Sequence, residues 1–121
     1  MAMSQMLKGL LEGCLLAIID KGETYGYEMS EKLQAYGFTM VSEGSIYPVL
    51  LRMKKDGWVE TIQKTLPSGG PKRKYYILTE TGQQELLAFK QRWAEVSSGV
   101  DRVLGEENED GTFKKESGFF G

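Results

Sequence analysis

The sequence predicts an α+β fold that is mostly α-helical, with three helices, a β-hairpin and a long C-terminal helix. Apolar residues recur at spacings of three and four in four stretches, as they do along one face of a helix. Two β-favouring segments follow the third stretch and flank residues 66–71, which contain two prolines and two glycines. A chain of 121 residues that is 40% apolar forms one domain with a modest core, which excludes a two-domain enzyme.

The first helix is expected over residues 4–21, capped by Ser4 and closed by Lys21 and Gly22. Its apolar stripe is so broad that we expect the helix to be buried on more than one side. The stripe comprises Leu7, Leu10, Leu11, Cys14, Leu15 and Ile18. Within it, Cys14 is expected to act as a small buried hydrophobic residue.

The second helix is expected to follow Thr24, its N-cap, and to end at Gly37 in a left-handed conformation. Its predicted inward face comprises Met29, Leu33 and Tyr36.

The third helix is expected over residues 43–56, with Ser42 as its N-cap and Pro48 inside it. Proline removes a hydrogen-bond donor, but the loss is smaller near the first turns of a helix. The inward face comprises Ile46, Val49, Leu50 and Met53, and the outward face comprises Ser45, Tyr47, Arg52 and Lys55.

Residues 58–64 and 72–78 are expected to pair as a hairpin, with a connecting loop long enough to project from the domain. Side chains alternate between the two faces of a strand, so one of Tyr75 and Tyr76 should lie in the core. Trp58, where the first strand leaves the third helix, is also expected in the core.

The last helix is expected to start at Thr79 or at Thr81, which fits a capping box with Gln84. Apolar residues then repeat as in the a and d positions of a coiled coil, so we expect this helix to pair with a second copy of itself. They are Leu86, Phe89, Trp93, Val96, Val100 and Val103, and Leu7 and Leu11 of the first helix complete the expected dimer interface. Beyond Leu104 the chain is polar and rich in glycine, which predicts a disordered tail.

The chain contains no histidine and a single cysteine, which excludes a Ser-His-Asp triad, a Cys-His pair, a His-metal site and an intrachain disulfide. We therefore expect no enzyme, no catalytic residue, no metal ligand and no cofactor. The N-terminus lacks the features of a signal peptide, and no apolar stretch approaches the roughly 20 residues that cross a bilayer. We expect a cytoplasmic protein that has no membrane partner.

The net charge of −2 argues against a nucleic-acid partner, but the charge is unevenly distributed along the chain. Residues 42–76 contain seven basic and three acidic residues, a positive block inside an otherwise acidic chain. The basic residues cluster on the third helix, at Arg52, Lys54 and Lys55, and on the hairpin, at Lys72, Arg73 and Lys74. Such a block predicts one electropositive face.

Three helices followed by a hairpin form the plan of the winged helix-turn-helix, in which the third helix enters the major groove of DNA. A helix about 10–12 Å wide fits a groove about 12 Å wide. The hairpin, or wing, reaches the adjacent phosphates. The positive charge lies on these two elements, so we predict a DNA-binding domain over residues 4–78, a dimerisation helix over 79–104 and a tail over 105–121.

Three stretches of the sequence form a distinctive set of motifs: YGYEMSEKL in the second helix, EGSIYPVLLRMKKDGWV in the third helix and GGPKRKYYILTETG in the wing. Together they resemble the PadR family of bacterial transcriptional regulators. The resemblance covers about residues 5–104 and is to the branch with a single C-terminal helix. It implies a homodimer that binds double-stranded, palindromic promoter DNA, in most cases as a repressor.

The resemblance also implies which residues meet DNA. They are Tyr25 on the second helix, Ser45, Tyr47 and Arg52 on the third helix, and Lys72, Arg73 and Lys74 on the wing. Lys55, on the outward face of the third helix, is a further candidate. Some members bind a flat aromatic effector against a tryptophan of the last helix, which implies an effector site at Phe89, Trp93 and Val96.

Other interpretations of these residues remain open. Winged helices also serve as protein-interaction modules without DNA binding, and a fold alone does not decide between the two functions. Tyr47 can contact a phosphate or a thymine methyl group, or it can support the turn before it. Lys54 and Lys55 can instead interact favourably with the dipole at the C-terminus of the third helix. Phe89 and Trp93 can pack in the dimer interface without binding an effector.

Overall fold

The computed structural model describes residues 2–111, with side chains described for residues 9–105. The helices are α1 (Ala2–Asp20), α2 (Gly26–Ala35), α3 (Glu43–Lys55) and α4 (Glu80–Gly111). The strands are β1 (Thr24–Tyr25), β2 (Val59–Thr65) and β3 (Lys72–Leu78), and they form one antiparallel sheet in the order β1-β3-β2. The predicted α+β architecture, mostly helical and with a long C-terminal helix, is confirmed.

The core of the first compact unit (Met1–Leu86) is centred on α1. Leu15, Leu16 and Ile19 are almost fully buried, so this helix is covered on more than one side, as its broad stripe predicts. The helix begins at Ala2, and Ser4 therefore lies inside it and not at the predicted N-cap position. Cys14 is half-buried, and desolvation raises the pKa of its thiol, which suits a small hydrophobic residue of the core.

A third strand, β1, is absent from the prediction. Thr24 was predicted to cap α2, but it pairs with Tyr76 of β3 and is fully buried. Its hydroxyl donates a hydrogen bond of 2.7 Å to the carboxylate of Glu28, which satisfies the buried oxygen. The N-cap of α2 is Tyr25 instead. Two residues are too few to show strand periodicity, and their partner lies far away in the sequence.

The helices α2 and α3 bury the faces that their spacing predicts, with one exception. Met29 and Leu33 of α2 are buried, whereas Tyr36 is 67% exposed because it is the C-cap residue and follows the last helical turn. On α3, Ile46, Leu50 and Met53 are fully buried and Val49 packs against the core. The predicted cap of α3 is confirmed, since the backbone N–H of Ser42 donates to Ser45 Oγ at 3.4 Å.

The chain leaves α3 through a tight helix-ending motif. The N–H of Gly57 donates to the carbonyl of Lys54 at 3.0 Å, and the N–H of Trp58 donates to the carbonyl of Met53 at 2.9 Å. This pair of bonds defines a Schellman motif, which requires a left-handed residue, and Gly57 has φ +83°. The motif ends α3 and fixes where the wing begins.

The start of α4 is locked onto the same turn. Of the two predicted starts, Thr79 and not Thr81 caps the helix, since its hydroxyl accepts the N–H of Gly82 at 3.0 Å and donates to the carbonyl of Gly57 at 2.6 Å. The N–H of Thr79 donates to the carbonyl of Trp58 at 3.0 Å. A Cβ on Gly82 would lie 2.1 Å from that carbonyl oxygen, so only glycine permits this approach.

The second compact unit (Leu87–Gly121) contains the rest of α4. The helix is continuous through Ser97, Ser98 and Gly99 and runs to Gly111, so it extends past Leu104, where the prediction ends it. Residues 105–111 are therefore helical, which corrects the prediction of disorder for this part of the tail. The remaining tail, residues 112–121, lies outside the described residues.

Candidate nucleic-acid interface

The face of α3 that points away from the core carries a mixed apolar and basic surface. Tyr47 is 53% exposed and Leu51 is 71% exposed, and Pro48, Arg52 and Lys55 are exposed beside them. These positions alternate with the buried Ile46, Leu50 and Met53, as helical periodicity requires. The Schellman motif and the serine cap fix both ends of the helix, so this face is presented by a rigid element.

A groove of about 320 Å³ lies between α3 and β3, and we call it the α3–β3 groove. Its lining residues are Tyr47, Pro48, Leu50, Leu51, Lys54, Lys74 and Tyr76. Lys54 leans toward the sheet and donates a hydrogen bond of 3.2 Å to Thr61 Oγ1 of β2. Lys54 and Lys74 thus bring positive charge from the helix and from the wing to one place.

A second, shallower depression lies on the other side of Leu51 and is lined by Pro48, Leu51, Arg52, Lys54 and Lys55. Among the residues that line the two depressions, all within the described chain, there is no carboxylate. Burial, with a smaller effect of Tyr47, raises the pKa of the Tyr76 phenol, so this ring stays neutral. The lining of both depressions is therefore basic.

The three basic residues of the wing separate onto two faces of the sheet. Successive residues of a strand point to opposite sides, and Tyr76 is buried toward the helices. Lys72 and Lys74 share the face of Tyr76, and Lys74 reaches the α3–β3 groove. Arg73 points to the opposite face. The basic wing is thus only partly directed toward α3.

Arg73, near the loop end of β3, contacts Tyr25 of β1. The guanidinium carbon of Arg73 lies 4.9 Å from the centre of the Tyr25 ring, a cation–π contact. Tyr25 packs edge-on against Tyr75 at 5.2 Å, and Lys64 Nζ lies 5.1 Å from the Tyr75 ring. Lys64 is also paired with Glu23, next to β1. Tyr25 lies on β1 and not on α2, and this cluster fastens the wing to the body.

Two further predicted contact residues already have partners within the chain. Arg52 forms an ion pair of 2.8 Å with Glu12 of α1, and the hydrogen bond to this carboxylate raises the pKa of the guanidinium. Ser45 is exposed, but its hydroxyl lies 3.3 Å from that of Ser42 in the cap of α3. The structure thus brings Tyr47 and Lys74 to the α3–β3 groove, places Lys55 at the second depression, and holds Ser45 and Arg52 in local contacts.

Leu51, Pro48 and Lys54 belong to this surface although they are not among the predicted site residues. Leu51 follows Leu50, which occupies an inward position, and adjacent residues of a helix point about 100° apart. Helical spacing alone places Leu51 outside the inward face, so the sequence already indicated an exposed leucine on this surface.

The predicted residues of the dimer interface and of the effector site differ in exposure. Trp93, Val96, Val100 and Val103 on α4 are 46–65% exposed, and Phe89 is half-buried. Leu87 and Leu104 of the same helix are also exposed. Leu11 and Leu86, in contrast, are only 5% exposed and belong to the core of the single chain. The side chain of Leu7 lies outside the described residues.

The sequence profile of the PadR-like family of transcriptional regulators matches residues 15–88. The chain belongs to this family. The matched segment runs from the middle of α1 through α3 and the wing to the start of α4. Members of the family are transcriptional regulators that bind DNA and are not enzymes. Among the described residues, no helix is long and apolar enough to cross a membrane.

Solved structures and curated relatives agree with this assignment. A PadR-like transcriptional regulator from Bacillus cereus is 56% identical, with a TM-score of 0.77 over 83% of this chain and 96% of that one. A Lysinibacillus sphaericus protein named only as uncharacterised is 31% identical over 86% of this chain and 96% of its own length. The negative transcriptional regulator PadR of Bacillus subtilis is 30% identical over 64% of this chain and 43% of its own length.

Proposed function

We propose that this PadR-family regulator is a repressor that binds palindromic promoter DNA as a homodimer, in the cytoplasm. The observation that carries the proposal is the α3–β3 groove, where Tyr47 of the helix and Lys74 of the wing line one surface that holds no carboxylate. Phosphate contacts dominate the affinity of proteins for DNA, and a basic surface on two rigid elements provides them. The DNA-binding domain of the proposal is residues 4–78.

The roles of the surface residues follow from their positions. Lys54, Lys55 and Lys74, with the exposed Lys72, contact phosphates, and Tyr47 contacts a base edge or a sugar. Arg52 reaches DNA by exchanging Glu12 for a phosphate. Ser45, Tyr25 and Arg73 serve mainly to hold α3 and the wing in place, each through the contacts described above.

The dimer of the proposal forms through α4, over residues 79–104. The exposed apolar side chains of Trp93, Val96, Val100 and Val103 lie at spacings of three and four and need a partner to cover them. Leu11 and Leu86 drop out of the proposed seam because they are already buried in one chain. A two-fold symmetric pair then presents its two α3 helices to successive major grooves, about 34 Å apart.

The proposal also includes repression of transcription and the release of DNA by an effector. The Bacillus subtilis relative is named as a negative regulator, which supports repression here. A flat aromatic effector would stack on Trp93, beside Phe89 and Val96, where the indole is 46% exposed. Such a ligand releases DNA only if it binds more tightly to one conformation of the dimer than to another, where the two conformations differ in the distance between their α3 helices.

The proposal is tested by the salt dependence of DNA binding. Fluorescence anisotropy with promoter fragments, or with duplexes selected from a random library, gives Kd at several salt concentrations. Replacing Lys54, Lys55 and Lys74 with alanine removes six positive charges from a dimer, so the slope of log K against log salt should flatten by about 5. The matched control Lys90→Ala on α4 should keep the wild-type slope. A triple variant that binds like the wild type would overturn the proposed contact surface.

A further inference from the structure

The outermost stripe of α3 carries almost no hydrogen-bonding groups. Gly44, Pro48, Leu51 and Lys55 follow one another at spacings of four, three and four, opposite the buried stripe of Ile46, Leu50 and Met53. Gly44 has no side chain, and Pro48 and Leu51 are apolar. Only Lys55, at the C-terminal end, carries a donor. The part of the helix that would enter a groove most deeply is therefore a low apolar ridge.

Leu51 is the most prominent residue of this ridge. It is 71% exposed, the largest value for any large hydrophobic side chain in the described chain. It forms a wall shared by both depressions, with Pro48 beside it. Lys54 also lines both depressions, and Lys55 and Lys74 each line one of them. A ring of lysines around an exposed leucine favours a polyanion that also presents apolar groups.

The major groove of DNA has these two properties together. Its edges are lined by phosphates, and thymine projects a C5-methyl group into it, the one apolar group by which bases are read. The groups that read guanine or adenine with two hydrogen bonds are Arg, Lys, Asn and Gln side chains. On α3 the only Arg is paired with Glu12 at 2.8 Å, and the helix contains no Asn or Gln. Its two lysines, Lys54 and Lys55, are the phosphate contacts of the proposed function.

We infer that Leu51, supported by Pro48, reads thymine by packing against its methyl group and is a specificity-determining residue of this regulator. Because this requires α3 to enter the major groove, the inference rests on the proposed function. A buried methyl group strengthens binding about fourfold, so the two half-sites of a palindrome together account for a factor of about 15. The operator should therefore contain a thymine at the same position of each half-site.

The test uses a duplex selected by the wild-type protein from a library with 30 random base pairs. Each thymidine is then replaced in turn by deoxyuridine, which lacks the methyl group and keeps the same hydrogen-bonding edge. Kd is measured for the wild type, for Leu51→Ala and for Leu51→Met, which restores an apolar side chain. Leu51 is exposed and alanine favours helix, so the alanine variant keeps its fold, as circular dichroism will check.

At one symmetric position, deoxyuridine should weaken wild-type binding about fourfold per half-site. Leu51→Ala should be insensitive to the same replacement, and Leu51→Met should recover sensitivity. Equal Kd values for thymidine and deoxyuridine at every position would overturn the inference, as would equal losses in the wild type and Leu51→Ala, while salt-dependent binding would leave the proposed function standing. If the library yields no bound duplex at all, the proposed function itself fails.

Discussion

Replacing Gly82 with alanine tests how tightly the wing and the last helix are joined. The new Cβ would lie 2.1 Å from the carbonyl oxygen of Trp58 and 2.9 Å from Leu78 Cδ1. Ordinary carbon–oxygen contacts are about 3.3–3.6 Å, so the carbonyl must move by more than about 1 Å. That movement breaks its hydrogen bond with the N–H of Thr79, the bond that links the start of β2 to the cap of α4.

The expected loss of stability comes from three contributions. Overpacking costs about 1–3 kcal/mol, the lost hydrogen bond costs about 0.5–1.5 kcal/mol, and the better helix propensity of alanine returns about 1 kcal/mol. The net destabilisation is about 2 kcal/mol, which lowers the melting temperature of a domain of this size by roughly 5–15 °C. Thermal unfolding followed by circular dichroism, at a fixed protein concentration, measures it.

The matched control lies on the same helix. A Cβ at Gly99 meets no atom within 4 Å, so Gly99→Ala gains helix propensity without a clash and should not lower the melting temperature. If Gly82→Ala melts at the wild-type temperature, the close approach of α4 to the turn after α3 is refuted.

Three further outcomes are expected. Glu12→Gln frees Arg52 for phosphate, so DNA affinity at 0.15 M salt should rise about fivefold per protomer and the slope of log K against log salt should steepen. The control Glu95→Gln should change neither quantity. An unchanged Kd for Glu12→Gln would contradict this role of Arg52. Val100→Asp places a charge in the proposed α4 seam and should give monomers in analytical ultracentrifugation; a stable dimer would place the interface elsewhere. Burial raises the pKa of Cys14, so at pH 8 iodoacetamide should alkylate the folded protein more slowly than the denatured chain, and equal rates by mass spectrometry would show an accessible thiolate.

The last expectation has a consequence for stability. The folded state holds the Cys14 thiol in its neutral form to a higher pH than the unfolded state does. Burying the neutral thiol therefore contributes its full stabilisation below the pKa of the unfolded state. This stabilisation is lost as the pH rises through the pKa of the folded state. Replacing Cys14 with alanine should remove that part of the alkaline decline in stability.

Local patterns predicted the elements of the fold well. The bounds of β3 agree with its run of basic and β-favouring residues, and α3 begins after its predicted Ser42 cap. Both depend on residues close together in the sequence, such as turn-forming glycines and capping serines. The sequence could not predict β1, because its pairing with β3 joins Thr24 to Tyr76 across much of the chain.

The candidate site was predicted less completely for the same reason. The partner of Arg52 is Glu12, 40 positions earlier, and no spacing rule connects them. Arg73 shares a charge run with Lys72 and Lys74 but points to the other face of the sheet, where Tyr25 meets it. Leu51 received no role because the predicted contacts were polar. The sequence therefore predicted the periodicity of the apolar side chains, but it could not predict the tertiary contacts of the charged ones.

The most direct test of the central claim is to map which side chain lies against the bases. A selected duplex with 5-iodouracil in place of each thymine is irradiated with the bound protein, and the cross-linked peptides are identified by mass spectrometry. Three exposed tyrosines compete for cross-linking, namely Tyr27, Tyr36 and Tyr47, at 49%, 67% and 53% exposure. Cross-links confined to Tyr47 and its α3 neighbours are predicted, and cross-links at Tyr27 or Tyr36 without Tyr47 would contradict the proposed reading face.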